Sequence, residues 1–103
     1  MNITRIDLGA EFGTDLSSRR SASELRSQVT VALSGAAEQI EFDLSHVRTI
    51  SHSFADELFA ILVLEHGADW FRDHVHVINP SGAVRQTILE AILQRLETHG
   101  IPV

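Results

Sequence analysis

Ser51-His52-Ser53, with Asp56 and Glu57 close behind, places two hydroxyls, an imidazole and two carboxylates within one short stretch. Residues of these types support three kinds of chemistry. A serine with a histidine base and an orienting acid is a nucleophile, provided the base is within hydrogen-bond reach. A serine at a helix start is a phosphoacceptor, because a phosphate there meets free N–H groups and the positive end of the helix dipole. The same serine can simply cap the helix. Neighbours in one loop rarely form a triad, and no nucleophile-elbow glycine pattern surrounds these serines. No catalytic residue and no enzymatic activity are therefore expected. Ser53 is read as the N-cap, with Asp56 completing a capping pattern three residues on. Asp56 and Glu57 would partly offset by repulsion what the dipole offers a phosphate on Ser53.

A second constellation is His74 and His76. Two residues apart on a strand they would share a face and could approach a metal ion. No third ligand stands out, so neither a metal site nor a cofactor is expected. Arg19 and Arg20 are the only adjacent basic pair, and Arg19 is a candidate to bond Asp43 or a bound anion.

Alternating strands and helices must position these groups. A strand is predicted over 2–8, with Ile6 and Leu8 on one face. A loop follows to Arg20, pinned by Phe12 and Leu16, with room for a short extra strand. Ser21-Ala22-Ser23-Glu24 fits a capping box, leading into a helix with Leu25, Val29, Ala32 and Leu33 inward and Gly35 at its end. Residues 38–44 alternate cleanly: Ile40, Phe42 and Leu44 point one way, Glu41 and Asp43 the other. Ser45 to Ser53 is a loop at the carboxyl end of that strand, and in open α/β sheets ligands and partners gather at such ends.

The next helix carries seven consecutive apolar residues, Leu58 to Leu64. At α-helical spacing they give two stripes. Phe54, Leu58, Ile61 and Leu62 suit the sheet. Ala55, Phe59 and Val63 need cover from the last helix, from a partner, or from a second copy in a homodimer. Trp70 and Phe71 read as satellite core. A strand over 75–78 and a last helix after Asn79-Pro80-Ser81-Gly82 complete the chain; that helix ends at Gly100, with Pro102 beyond. The order implies one α/β domain over 1–103, a small mostly parallel or mixed sheet with helices packed on it.

Composition narrows the function. The chain has 103 residues, no cysteine, and a net charge of −6, with all eight basic residues arginine. An acidic chain without a basic stripe is a poor ligand for nucleic acid or an anionic membrane. No basic-then-apolar leader opens it, and seven apolar residues are too few to span a bilayer. A cytoplasmic protein is expected.

The segment FDLSHVRTISHSFADEL resembles the centre of a STAS domain, the anti-anti-sigma-factor fold. There a strand ending in an Asp-Leu-Ser-like turn leads through a short loop to a serine at a helix start. The likeness is nearer to the divergent bacterial STAS-like family, in which a serine-Phe-Ala-Asp-Glu run opens the helix. In regulatory STAS domains that serine is phosphorylated by a cognate anti-sigma kinase. Position by position, Asp43 matches the acid at the strand end and Ser53 the phosphoacceptor. Two positions depart: Ser51 replaces the acid just ahead of the serines, and Phe54 the glycine just after. The resemblance implies a non-catalytic signalling module that docks a protein partner, a histidine-kinase-like ATPase or anti-sigma protein. Docking would use the loop and helix around Ser53, with Asp43, Ser51, His52, Asp56, Phe59 and Val63 as contact candidates. The alternative is a small domain holding an anion or nucleotide at the loop Ser45 to Ser53.

Overall fold

A computed structural model describes residues 2–101. Three parallel strands form the main sheet in the order β1-β3-β5: β1 (Ile3–Asp7), β3 (Gln39–Asp43) and β5 (Val75–Ile78). A second, two-residue parallel pair joins β2 (Asp15–Leu16) to β4 (Thr49–Ile50). This is the α/β architecture expected from the alternation, with the extra strand inside the first loop.

Register explains the alternation of the central strand. Thr4, Ile40 and Val75 align, as do Ile6, Phe42 and Val77; on this face the helices cover all but the exposed Thr4 at its edge. Ile40 and Phe42 are fully buried and Leu44 nearly so. The opposite face aligns Arg5, Glu41 and His76, with an Arg5–Glu41 ion pair at 3.1 Å. Parallel sheets usually carry helices on both faces and read as continuous apolar runs. This one leaves a polar face, and so its central strand keeps a two-residue period.

The first strand is shorter than predicted. Leu8 opens a short helix, α1 (Leu8–Phe12), capped by Asp7, whose carboxylate accepts from Ala10 N at 3.0 Å. Helix α2 (Arg19–Ser34) starts earlier than the capping-box reading placed it. Its cap is Ser18, which accepts from Ser21 N at 3.1 Å; Glu24 does not reach back but pairs with Arg20. Ala22, Leu25 and Val29 form its buried stripe. The histidine pair also dissolves: His74 ends helix α5 (Ala68–His74), its ring tilted against Trp70 at 5.1 Å, and only His76 is on the strand. The strand itself spans 75–78 as predicted; His74 precedes it as the last residue of α5, so the two histidines do not share a strand face. Among the described residues no group of three or more His, Cys, Asp or Glu is placed to hold a metal ion.

The apolar segment is helical from 52 to 66, but not uniformly. α3 (His52–Ala55) passes into a π-helical turn (Asp56–Ala60) and then α4 (Ile61–His66). A π turn holds more residues than an α turn and shifts the phase of every residue beyond it. Phe59, assigned by α spacing to the outer stripe, turns instead onto the sheet, its ring edge-on to Phe42 at 5.4 Å. Phe54 packs against Phe12 at 6.3 Å. Residues 54–56, 58–60, 62 and 63 of this segment are buried, packed among the sheet, α2 and α6 (Gly82–Thr98). Phe59 is 0% and Val63 4% exposed, so the two lie in the interior and offer no docking surface. No described helix is long and apolar enough to cross a membrane.

α6 is capped by Ser81 and buries Val84, Ile88 and Ala91. It ends at Thr98, and the predicted Gly100 closes the turn beyond it: its φ of 71° permits bonds from Gly100 N to Glu97 O and from Ile101 N to Leu96 O. Pro102 lies outside the described residues.

Candidate functional site

The loop at the carboxyl end of β3 is held at both ends. Asp43 accepts from Ser45 N at 2.9 Å, closing a tight turn, and that bond holds its carboxyl below the usual range. Gly9 lies against the next residue so closely that a Cβ there would sit 2.6 Å from the His46 Cβ. Farther on, β4 pairs with β2, and Asp15 gathers Thr49 Oγ1 at 2.6 Å and the Arg48 guanidinium at 3.0 Å. The Thr49 hydroxyl, then Arg48, depress the Asp15 pKa. Ser51 N donates to Leu16 O at 2.8 Å, which delivers the chain to the helix.

The cap of that helix is Ser51, not Ser53. Ser51 Oγ accepts from Phe54 N at 3.0 Å. The backbone turns helical at His52, because the β4 pairing releases the chain at Ile50 and Ser51 is the first residue with extended geometry after it. Ser53 is thus inside the first turn, half-buried, and its hydroxyl forms no hydrogen bond among the described residues. Phe54 is turned into the core.

Asp56 does not complete a capping box. It is 5% exposed and bridges two helices: Arg19 of α2 reaches it at 3.1 Å and Arg95 Nε of α6 at 2.8 Å. The hydrogen bonds from Arg95, and then Arg19, outweigh burial and lower the Asp56 pKa. Glu57, next to it, bonds Arg19 at 2.8 Å and Arg26. Burial pushes Glu57 up, but the Arg26 and Arg19 bonds prevail and the net direction is down. Arg19 therefore serves Glu57 and Asp56, and not Asp43 as its position suggested. A cavity of about 190 Å³ opens beside this network, lined by Arg19, His52, Asp56, Gln94, Arg95 and Thr98.

Of the expected site residues, Ser51, His52, Ser53 and Asp56 come together at the helix start, whereas Asp43 is engaged in its own turn. Among the hydrogen bonds of the described residues none joins His52 to either serine, the contact a serine–histidine pair requires. Arg26 and Arg95 escaped the sequence reading. Arg95 carried a signal: it occupies an inward position of α6, four residues after Ala91, where an arginine needs a buried acid.

The strand-end acid, the loop tied to β2, the serine-rich helix start and the parallel sheet together form the STAS pattern. No curated protein and no solved structure matches the chain. A family model described as a STAS-like domain of unknown function (DUF4325) matches residues 21–85, more than half of the chain, and the chain belongs to that family.

Proposed function

We propose that the chain is a non-catalytic regulatory module of bacterial signalling. It docks a protein partner through the loop and helix start around Ser53, and phosphorylation of Ser53 ends the docking. The observation that carries this reading is the division of labour between two serines. Ser51 caps the helix, so the fold does not use the Ser53 hydroxyl, which is half-buried at the N-terminal turn of a long helical run. A phosphate there adds about −1.5 to −2 charge where N–H groups and the dipole tolerate it. Asp56 and Glu57 lie one turn on, and their arginines already neutralise them. The added charge thus alters the surface a partner meets more than it strains the fold. The partner proposed, by resemblance to the regulatory STAS domains, is an ATPase-fold kinase or anti-sigma protein, met in the cytoplasm.

The test is affinity capture from native lysate with wild type, Ser53→Ala and Ser53→Asp, joined to phosphopeptide mapping of the chain purified from its own cells. One protein should be retained by wild type and Ser53→Ala and lost with Ser53→Asp, and Ser53 should carry phosphate in part of the population. Equal retention by all three, with Ser53 unmodified, refutes the switch.

A further inference from the structure

β5 is an edge strand of the main sheet. In a parallel ladder alternate residues bond to opposite sides. Ile78 O accepts from Leu44 N, just past the end of β3, at 2.9 Å, so His76 and Ile78 face β3, while Val75 and Val77 direct their backbone groups outward. Val75 N is satisfied by Phe71 O. Val77 N–H and C=O have no backbone partner among the described residues.

α6 runs past this edge without bonding it. Between them is an apolar cavity of about 320 Å³, bounded by Phe71, Val77, Ile88, Leu89 and Ile92. Leu89 on its lip, and Leu93 one turn on, are 50% and 46% exposed. Cations mark the two ends. Arg85, beside Pro80, forms no ion pair or side-chain hydrogen bond among the described residues. Arg72, beside Val75, is tied only to Asp69 on its own helix, in a pair whose side chains are 72% and 88% exposed. Exposed pairs of that kind are worth little and exchange readily.

We propose that this groove binds an extended, apolar, carboxylate-bearing segment of a partner protein, which adds to β5 as a fourth strand. The free edge supplies main-chain bonds, the cavity takes one or two aliphatic side chains, and the arginines select the acid. The charges argue against a second copy of this chain as occupant. Antiparallel pairing of β5 with itself about a two-fold axis would bring the Arg85 end of one copy beside the Arg72 end of the other. No groove residue belongs to the site around Ser53, so the proposal stands apart from the switch.

The probe is a phage-displayed library of random octapeptides, panned on the full chain and counter-selected on Leu89→Asp, a change on an exposed lip. Enriched peptides should alternate apolar residues and carry Asp or Glu. As synthetic peptides they should shift the Val77 and Leu89 amide resonances and weaken about tenfold or more with Arg85→Glu. Backbone N-methylation of the peptide should abolish binding. The proposal is overturned by failure to enrich any peptide over Leu89→Asp, by binding indifferent to Arg85→Glu or to N-methylation, by shifts confined to the Ser53 loop, or by a wild-type dimer that Leu89→Asp dissociates.

Discussion

Replacing Asp56 by alanine removes one counter-ion from two arginines. Stripping one partner from a fully buried pair costs about 3–5 kcal/mol, because the other charge is left dry. The arginines here are less confined: the Arg19 and Arg95 side chains are 48% and 27% exposed, and Arg19 keeps Glu57. Arg95 has no other ion-pair partner among the described residues. Scaled for that exposure, the expected loss is about 2 kcal/mol, which for a domain of this size lowers the melting temperature by roughly 8–16 °C. Urea denaturation followed by far-UV circular dichroism measures it directly. The double change Asp56→Leu, Arg95→Met should recover part of the loss, since apolar isosteres often replace a buried pair without penalty. The pH dependence has a definite sign. Arg95 holds the native Asp56 carboxyl below its ordinary value, so its contribution is complete above about pH 5, where the unfolded chain is ionised too. As pH falls further the unfolded state takes up the proton first, and the contribution is lost as the native carboxyl is protonated. The stability gap between wild type and Asp56→Asn should therefore be largest near neutrality and close below about pH 4. A loss under about 0.5 kcal/mol, the scatter of ordinary surface substitutions, would refute the bridging role; so would a gap that does not narrow in acid.

Other substitutions separate the roles assigned above. Ser51→Ala should lose about 1 kcal/mol as a missing cap, and Ser53→Ala no more than about 0.5 kcal/mol; the reverse order in thermal melts would return the cap to Ser53. Phe42→Ala should cost about 3–5 kcal/mol in urea titrations, because it empties the contact with Phe59 at the sheet centre; a loss below about 1 kcal/mol would deny that contact. Gly9→Ala sets a methyl 2.6 Å from the His46 Cβ and 2.9 Å from its backbone, so the loop must move at a cost of about 1–3 kcal/mol. An unchanged or raised melting temperature would show that α1 and the loop do not approach so closely.

The sheet was legible because its central strand alternates, and it alternates because one face of the sheet stays polar. Ser81, Gly82 and Gly100 marked the ends of α6 by the ordinary logic of caps. Two readings failed for a shared reason. The capping patterns at Ser21 and at Ser53 each had a serine with an acid three residues on, yet each helix starts at an earlier serine, Ser18 or Ser51. A run with several serines contains several caps on paper. Which one is used depends on where the preceding strand releases the chain, and β2 and β4 are two-residue pairs that no periodicity announces. The third failure is the phase of the apolar helix. α spacing assumes a constant turn, and the π turn over Asp56–Ala60 breaks it at the point where Asp56 must reach two arginines from different helices.

That break accounts for the surfaces left to the protein. An amphipathic helix presents one face to its core and one to partners. Here the π turn lets Phe54, Leu58, Phe59 and Leu62 all find interior neighbours, and Asp56 closes the remaining side with Arg19 and Arg95. The apolar run is therefore spent on folding, and the two surfaces proposed above for recognition are ones it does not cover. One is the turn of Ser51 to Ser53, where a hydroxyl that caps nothing stands at the head of a buried helix. The other is the edge of β5, where main-chain groups, exposed leucines and an arginine without an ion pair among the described residues occur together. A module with a modifiable helix start and a separate peptide groove could hold a partner at one surface while releasing it from the other. Ser53→Asp should then leave octapeptide affinity at the groove unchanged, and a loss of groove binding in that variant would mean that the two surfaces are one.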